Sequence, residues 1–166
     1  MVGNSSPGER RMTGGRSSGQ ARTGPALRII AGAMTESRRV LVVEDEPSLR
    51  EVLTDLLGET GYDVTATDSA IGVRALVESV QPHAILLDLG LPYRSGGSLL
   101  VELKADPRTA PIPVIVVSGM PDVLAGERRA LAAAVIPKPF DPAALFDALR
   151  RALHAREGPQ GAQDPA

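Results

Sequence analysis

Ala84-Ile85-Leu86-Leu87-Asp88-Leu89-Gly90-Leu91-Pro92 reads as a short apolar run that ends on a carboxylate and breaks at once into a turn. Four consecutive aliphatic residues suit a strand buried on both faces of a parallel sheet. An acid at the end of such a strand stands where open α/β sheets gather their chemistry. Three further apolar runs end in the same way. Arg39 to Val43 leads into Glu44-Asp45-Glu46, Val114 to Val117 into Ser118-Gly119, and Ala134 to Ile136 into Lys138-Pro139. Acid, acid, hydroxyl and amine thus follow four successive apolar runs.

Helical periods fill the intervals between these runs. Leu49, Val52, Leu53, Leu56 and Leu57 form one apolar stripe, with Gly58 and Gly61 as its expected stop. Tyr62 to Thr67 alternates as a second strand, and Val73, Leu76, Val77 and Val80 mark a second helix. Leu99, Leu100 and Leu103 mark a third helix around Ser98 to Lys104. Pro111 and Pro113 confine strand pairing to the residues after them. An Ala-rich stretch over 122–132 predicts a weaker fourth helix. Asp141 and Pro142 read as the cap and first residue of a fifth, striped by Leu145, Leu149 and Leu153. Five β-α units at this spacing predict a doubly wound, five-stranded parallel sheet with helices on both faces.

Composition narrows the function. The chain has 166 residues, 43% hydrophobic and 2% aromatic, so an aliphatic core is expected. The lack of cysteine removes thiol catalysis, thiolate metal sites and disulfides, and fits the cytoplasm. Residues 1–37 hold five Arg and two Glu and are rich in Gly and Ser, which predicts a disordered tail. Arg10-Arg11 is followed by no long apolar stretch, so it does not read as an export signal. Met34 is an alternative start. The remaining 13 Lys and Arg face 18 Asp and Glu, which argues against direct nucleic-acid binding. No apolar run approaches the roughly 20 residues of a membrane span. The folded domain is expected over 38–154, with a second disordered tail over 155–166.

Parallel strands bring their carboxyl ends to one edge, so Glu44, Asp45, Asp88, Ser118 and Lys138 can share a pocket. Carboxylates at such range repel by roughly 4 kcal/mol for a pair about 4 Å apart at an effective dielectric of about 20. A hard cation such as Mg²⁺, which prefers oxygen ligands, relieves that. A carboxylate beside Mg²⁺ can attack a phosphoryl group, with Lys138 and Ser118 holding phosphoryl oxygens and Gly119 leaving room.

Val-Leu-Val-Val-Glu-Asp-Glu-Pro at 40–47, Leu-Leu-Asp-Leu-Gly-Leu-Pro at 86–92, Val-Ile-Val-Val-Ser-Gly at 114–119 and Lys-Pro-Phe at 138–140 resemble a response-regulator receiver domain. The resemblance covers about residues 38–154. It implies a flavodoxin-like fold with strand order 2-1-3-4-5, Mg²⁺ dependence and a sensor histidine kinase or phosphotransfer partner. By position it implies Asp88 as phosphoacceptor, Asp45 as a direct metal ligand and Glu44 as one acting through water. Gly90 would offer its backbone carbonyl to the metal, Ser118 the switch hydroxyl and Lys138 the phosphate-pairing amine. The family usually has a cis peptide before the proline at 139. Two departures stand out. Val135 occupies a position where many members carry an aromatic, and the interval from Ser118 to Lys138 is short, which would shorten the fourth helix or its entry loop. Ser95 stands where Asp is common.

Three functions fit this reading. The first is a stand-alone phosphorylation-dependent switch, acting on a separate target protein or relaying its phosphate. The second is a phosphorylation-independent interaction module. The third is an aspartate-nucleophile phosphohydrolase, against which Gly90 speaks because it cannot supply a proton where such enzymes carry a general acid. His83 and His154 are expected to be structural.

Overall fold

The structure is a computed structural model that describes residues 37–157. The five strands are β1 Arg39–Val43, β2 Asp63–Thr67, β3 Ala84–Leu87, β4 Val114–Ser118 and β5 Ala134–Pro137. They form one sheet in the order β2-β1-β3-β4-β5, parallel throughout. Alternation along each strand splits the core into two layers. Leu41, Val43, Ile85, Leu87, Val114 and Val116 face one layer, and Val40, Val42, Leu86, Ile115 and Val117 face the other. Both layers are closed by helix stripes, which is why the central strands read as unbroken aliphatic runs.

Helices α1 Pro47–Glu59 and α5 Pro142–Glu157 cover one face. Helices α2 Val73–Val80 and α3 Gly96–Ala105 cover the other. In α1, Leu53 and Leu57 are buried and Pro47 opens the first turn. The helix runs through Gly58; Gly61 is the residue that stops it. Gly61 takes φ +91°, and the amides of Gly61 and Tyr62 bond the carbonyls of Gly58 and Leu57. That pair of bonds closes the last turn and needs a left-handed residue, so Gly61 serves where Gly58 does not. In α5 the stripe of Leu145, Leu149 and Leu153 is buried, and the Asp141 carboxylate accepts from the Ala143 amide at 2.9 Å.

Two expectations are corrected. The segment 122–132 is not one helix. It is a 3₁₀ turn over Pro121–Val123 followed by the single-turn helix α4 Glu127–Ala130. Only Leu124 among 122–130 is buried, and Gly126 at φ +59° separates the two pieces. Alanine content without an apolar stripe leaves a longer helix nothing to pack against. The C-terminal boundary also lies later than 154, because α5 continues to Glu157. Arg156 holds that last turn by donating to the carbonyls of Pro82 and His83. The expectations for residues 1–36, Met34 included, and for residues 158–166 lie outside the described residues. Among the described residues, no helix is long and apolar enough to cross a membrane.

Candidate functional site

The ladder fixes the acids before any side chain is considered. The Glu44 amide donates to the Thr67 carbonyl at 3.0 Å, and the Asp88 amide donates to the Val43 carbonyl at 2.9 Å. Both residues therefore extend the sheet by one step past β1 and β3, side by side. Glu44 is only 1% exposed and Asp88 only 7%. One carboxylate oxygen from each of Glu44, Asp45 and Asp88 lies within 4.8 Å of the others. Two such buried acids cannot remain without compensation.

Lys138 supplies part of it. Its Nζ donates to Glu44 Oε2 at 2.7 Å and to Asp88 Oδ2 at 3.0 Å. Burial alone would lower the lysine's pKa, but the hydrogen bonds to Glu44 and Asp88 outweigh it and hold the amine above its ordinary value. Glu44 moves upward, chiefly because it is buried, against the pull of Lys138. The Lys138 amide is anchored to the Ser118 carbonyl at 2.9 Å, and the Lys138–Pro139 peptide is cis.

Ser118 ends β4 and is 1% exposed. Its Oγ accepts from the Met120 amide at 3.1 Å. The Gly90 amide donates to Asp88 Oδ1 at 3.2 Å, and a Cβ on Gly119 would meet nothing within 4 Å. The third acid of the first cluster has a separate role. Glu46 caps α1, accepting from the amides of Ser48 and Leu49, and those bonds lower its pKa. His83 accepts the Arg39 amide on Nδ1 at 3.0 Å, far along the sheet from this pocket.

Two positioning residues escaped the sequence reading. Arg50 Nη1 donates to the backbone carbonyls of Glu44 at 2.9 Å and Asp45 at 3.2 Å, closing the loop that carries both acids. A cation this early in a helix opposes the macrodipole, and that mismatch was the available signal. Gly96 begins α3 against the residue that follows β3: a Cβ there would lie 1.9 Å from the Asp88 carbonyl oxygen. The Gly96-Gly97 pair opening a helix, against propensity, was its trace. Ser95 caps this helix by accepting from the Ser98 amide at 3.3 Å.

Three carboxylates against one ammonium leave the pocket two negative charges in excess. A donor set made wholly of oxygens, with that charge, fits a hard divalent cation such as Mg²⁺. Glu44, Asp45 and Asp88 are the side chains that could hold one.

A doubly wound parallel sheet with a lysine-closed acidic pocket at its carboxyl edge defines the class of protein. The chain belongs to the response regulator receiver domain family, whose model matches residues 40–150. It is 40% identical over 135 residues to the transcriptional regulatory protein FixJ of Azorhizobium caulinodans, covering 80% of this chain and 63% of FixJ. It is 31% identical over 117 residues to protein Rrf1 of Nitratidesulfovibrio vulgaris, covering 69% of this chain and 82% of Rrf1. Among solved structures it is similar to the receiver domain of a sensor histidine kinase from Pseudomonas aeruginosa PAO1, which holds a magnesium ion in its active site cleft. That match has 30% identity and a TM-score of 0.62, covering 70% of this chain and 98% of that one. The chain spans 63%, 34% and 56% of the first three curated relatives it matches. Several relatives are named as transcriptional regulators, some of them DNA-binding, and those names describe the whole proteins.

Proposed function

We propose that the chain is a phosphorylation-dependent switch that accepts a phosphoryl group on Asp88 from a phosphohistidine of a sensor histidine kinase or phosphotransfer protein. The observation that carries this is the double hydrogen bond from Lys138 to Glu44 and Asp88 inside the three-carboxylate cluster. An Asp88 carboxylate oxygen attacks phosphorus, the P–N bond of the donor breaks, and the imidazole leaves with its electron pair and takes up a proton. Lys138 is already within bonding distance of Asp88 and pairs with an oxygen of the transferred group. Asp45, Asp88, Glu44 and the Gly90 backbone carbonyl would hold Mg²⁺, which would supply neutralisation of the charge on those oxygens.

The output runs through Ser118. Its Oγ holds the Met120 amide, so a phosphoryl oxygen that draws on the hydroxyl also pulls on the segment from Gly119 to Gly126. That route needs no aromatic at Val135. The pull biases a two-state surface that a separate target protein reads, or the phosphate passes onward in a relay. The acidic balance of residues 38–166 favours a protein target over direct contact with nucleic acid, in the cytoplasm. The one-turn helix α4 gives the phosphorylation-independent module its support, because a short helix has little to rearrange. Gly90, with no side chain to donate a proton, counts against the phosphohydrolase.

The test is intact mass after incubation with acetyl phosphate, with and without Mg²⁺, for wild type and Asp88→Asn. A Mg²⁺-dependent gain of one phosphoryl group in wild type alone is expected. Equal gain in the variant would remove Asp88 as acceptor. No gain from either acetyl phosphate or a histidine kinase would leave the constitutive module as the better reading.

A further inference from the structure

At the amino edge of the sheet, opposite the acidic pocket, lies a cavity of about 420 Å³. The starts of β1, β3 and β4 frame it through Arg39, His83 and Ile112. Val77 and Ile112 are buried and form an apolar wall. Three arginines border the cavity: Arg39, Arg108 and Arg156. Arg108 is matched, with Glu78 at 3.0 Å and Asp106 at 3.0 Å.

The other two are not. Arg39 Nε donates to the Gln81 carbonyl at 3.1 Å, and Arg156 Nη1 donates to the carbonyls of Pro82 at 3.1 Å and His83 at 2.9 Å. Among the described residues, neither guanidinium has a carboxylate within 4.0 Å. Both Nη atoms of Arg39, and Nε and Nη2 of Arg156, make no hydrogen bond among the described residues. Among the described residues, Glu78 is the only acid lining the cavity, and Arg108 is bonded to it. Two positive charges thus stand over a concave, partly apolar surface, each anchored through one side of its planar group with the other side unused. The anchors converge on one loop, residues 81–83, and among the described residues neither guanidinium has a counter-ion.

We propose that this cavity binds a small organic anion carrying a phosphate group, up to the size of a mononucleotide. A guanidinium presents its donors as a planar fork that matches carboxylate or phosphate. Two forks on one anion need more than two acceptor oxygens and a charge near two, which a phosphate monoester offers and a single carboxylate does not. The cavity volume lies within the roughly 300–1,000 Å³ of small-molecule sites. Val77, Ile112 and Pro82 would carry the organic body. The site is separate from the phosphoacceptor pocket but shares its strands: β1 runs from Arg39 to the step before Glu44, and β3 ends at the step before Asp88.

The experiment is a titration of isotopically labelled full chain, followed by amide chemical shifts without Mg²⁺. The probes are AMP, glucose 6-phosphate, inorganic phosphate and adenosine. AMP or glucose 6-phosphate should give saturable shifts at Arg39, Val77, Gln81 and His83, inorganic phosphate weaker ones, and adenosine none. Arg39→Gln and Arg156→Gln should each weaken binding about tenfold, as loss of one charge-assisted bond predicts. Arg39→Lys, which keeps the charge, should weaken it less. Acetyl phosphate labelling of Asp88 at the wild-type level verifies that the variants are folded. Absence of saturable shifts with both phosphorylated probes in wild type would overturn the proposal. So would shifts centred on Gly119 and Lys138, or shifts unchanged in the double variant Arg39→Gln/Arg156→Gln.

Discussion

Lys138 sits between two carboxylates that burial would otherwise make costly, and its removal should show how much it holds. In Lys138→Met, Glu44 and Asp88 lose their shared donor while staying buried. Urea unfolding should show a loss of about 1–3 kcal/mol, the usual penalty for a buried polar group left unpaired. Adding Glu44→Gln should recover part of that loss, because the residual repulsion with Asp88 disappears. A strictly additive double variant would mean that the three groups do not act as a unit. Gly96 tests a different dependence at the same pocket. Its missing Cβ is what allows α3 to approach the Asp88 carbonyl, so Gly96→Ala must push the helix or the end of β3 aside. A destabilisation of about 1–3 kcal/mol or more is expected, with slower labelling of Asp88 by acetyl phosphate. Wild-type stability in that variant would show that the contact relaxes freely. The acids, the hydroxyl and the lysine were legible in the sequence because each follows an apolar run. Gly96 and Arg50 were not, because each acts on backbone atoms whose position only the assembled sheet defines.

Elements are joined here by a few clips whose strength depends on pH. Asp106, at the end of α3, pairs with Arg74 on α2 and with Arg108. The Arg108 side chain and amide hold its carboxyl down at about 2, from an ordinary 3.8. The unfolded chain therefore takes up this proton first on acidification. The contribution of Asp106 is complete above pH 3.8 and is lost as pH falls through about 2. Asp106→Asn should flatten the stability profile in that window while leaving its shape near neutrality unchanged. A wild-type acid limb in the variant would assign the dependence to other carboxylates. The same scale explains which elements could be read in advance. The stripes of α1 and α5 and the alternating faces of the strands are periodic, and periodicity survives translation into structure. The segment after β4 has no stripe. Leu124 is its one fully buried residue, with Leu131 and Ala132 packed half-buried against the same core, and its Ala-rich composition suggested a helix that lacks a second buried residue. Val135, half-buried on β5, gives that segment no aromatic to close over.

At the scale of the whole molecule, the sheet places an open acidic pocket next to an apolar groove, and the two should serve different steps. Leu49, Val52 and Leu56 of α1 face Phe140 and Pro142 across a groove of about 550 Å³ that also borders Lys138. Val52 remains 49% exposed there, although it lies on the helix face next to the buried Leu53. A small donor such as acetyl phosphate needs only the pocket. A protein donor must also seat its own surface while presenting a phosphohistidine, and an apolar groove beside Lys138 would offer the contact area. Val52→Arg puts a charge in the groove at a residue that itself makes no hydrogen bond to Asp88, Glu44 or Lys138. Surface changes of this kind usually alter stability by no more than about 0.5 kcal/mol, so the fold and the pocket should persist. Labelling by acetyl phosphate should then stay at the wild-type rate. Transfer from a histidine kinase that phosphorylates the wild-type protein should slow about tenfold or more, because burying an unpaired guanidinium against apolar groups is unfavourable by at least that factor. Equal slowing with both donors would place the damage in the pocket itself. Unchanged transfer from the kinase would move the docking surface away from α1, to a face that leaves Val52 in water.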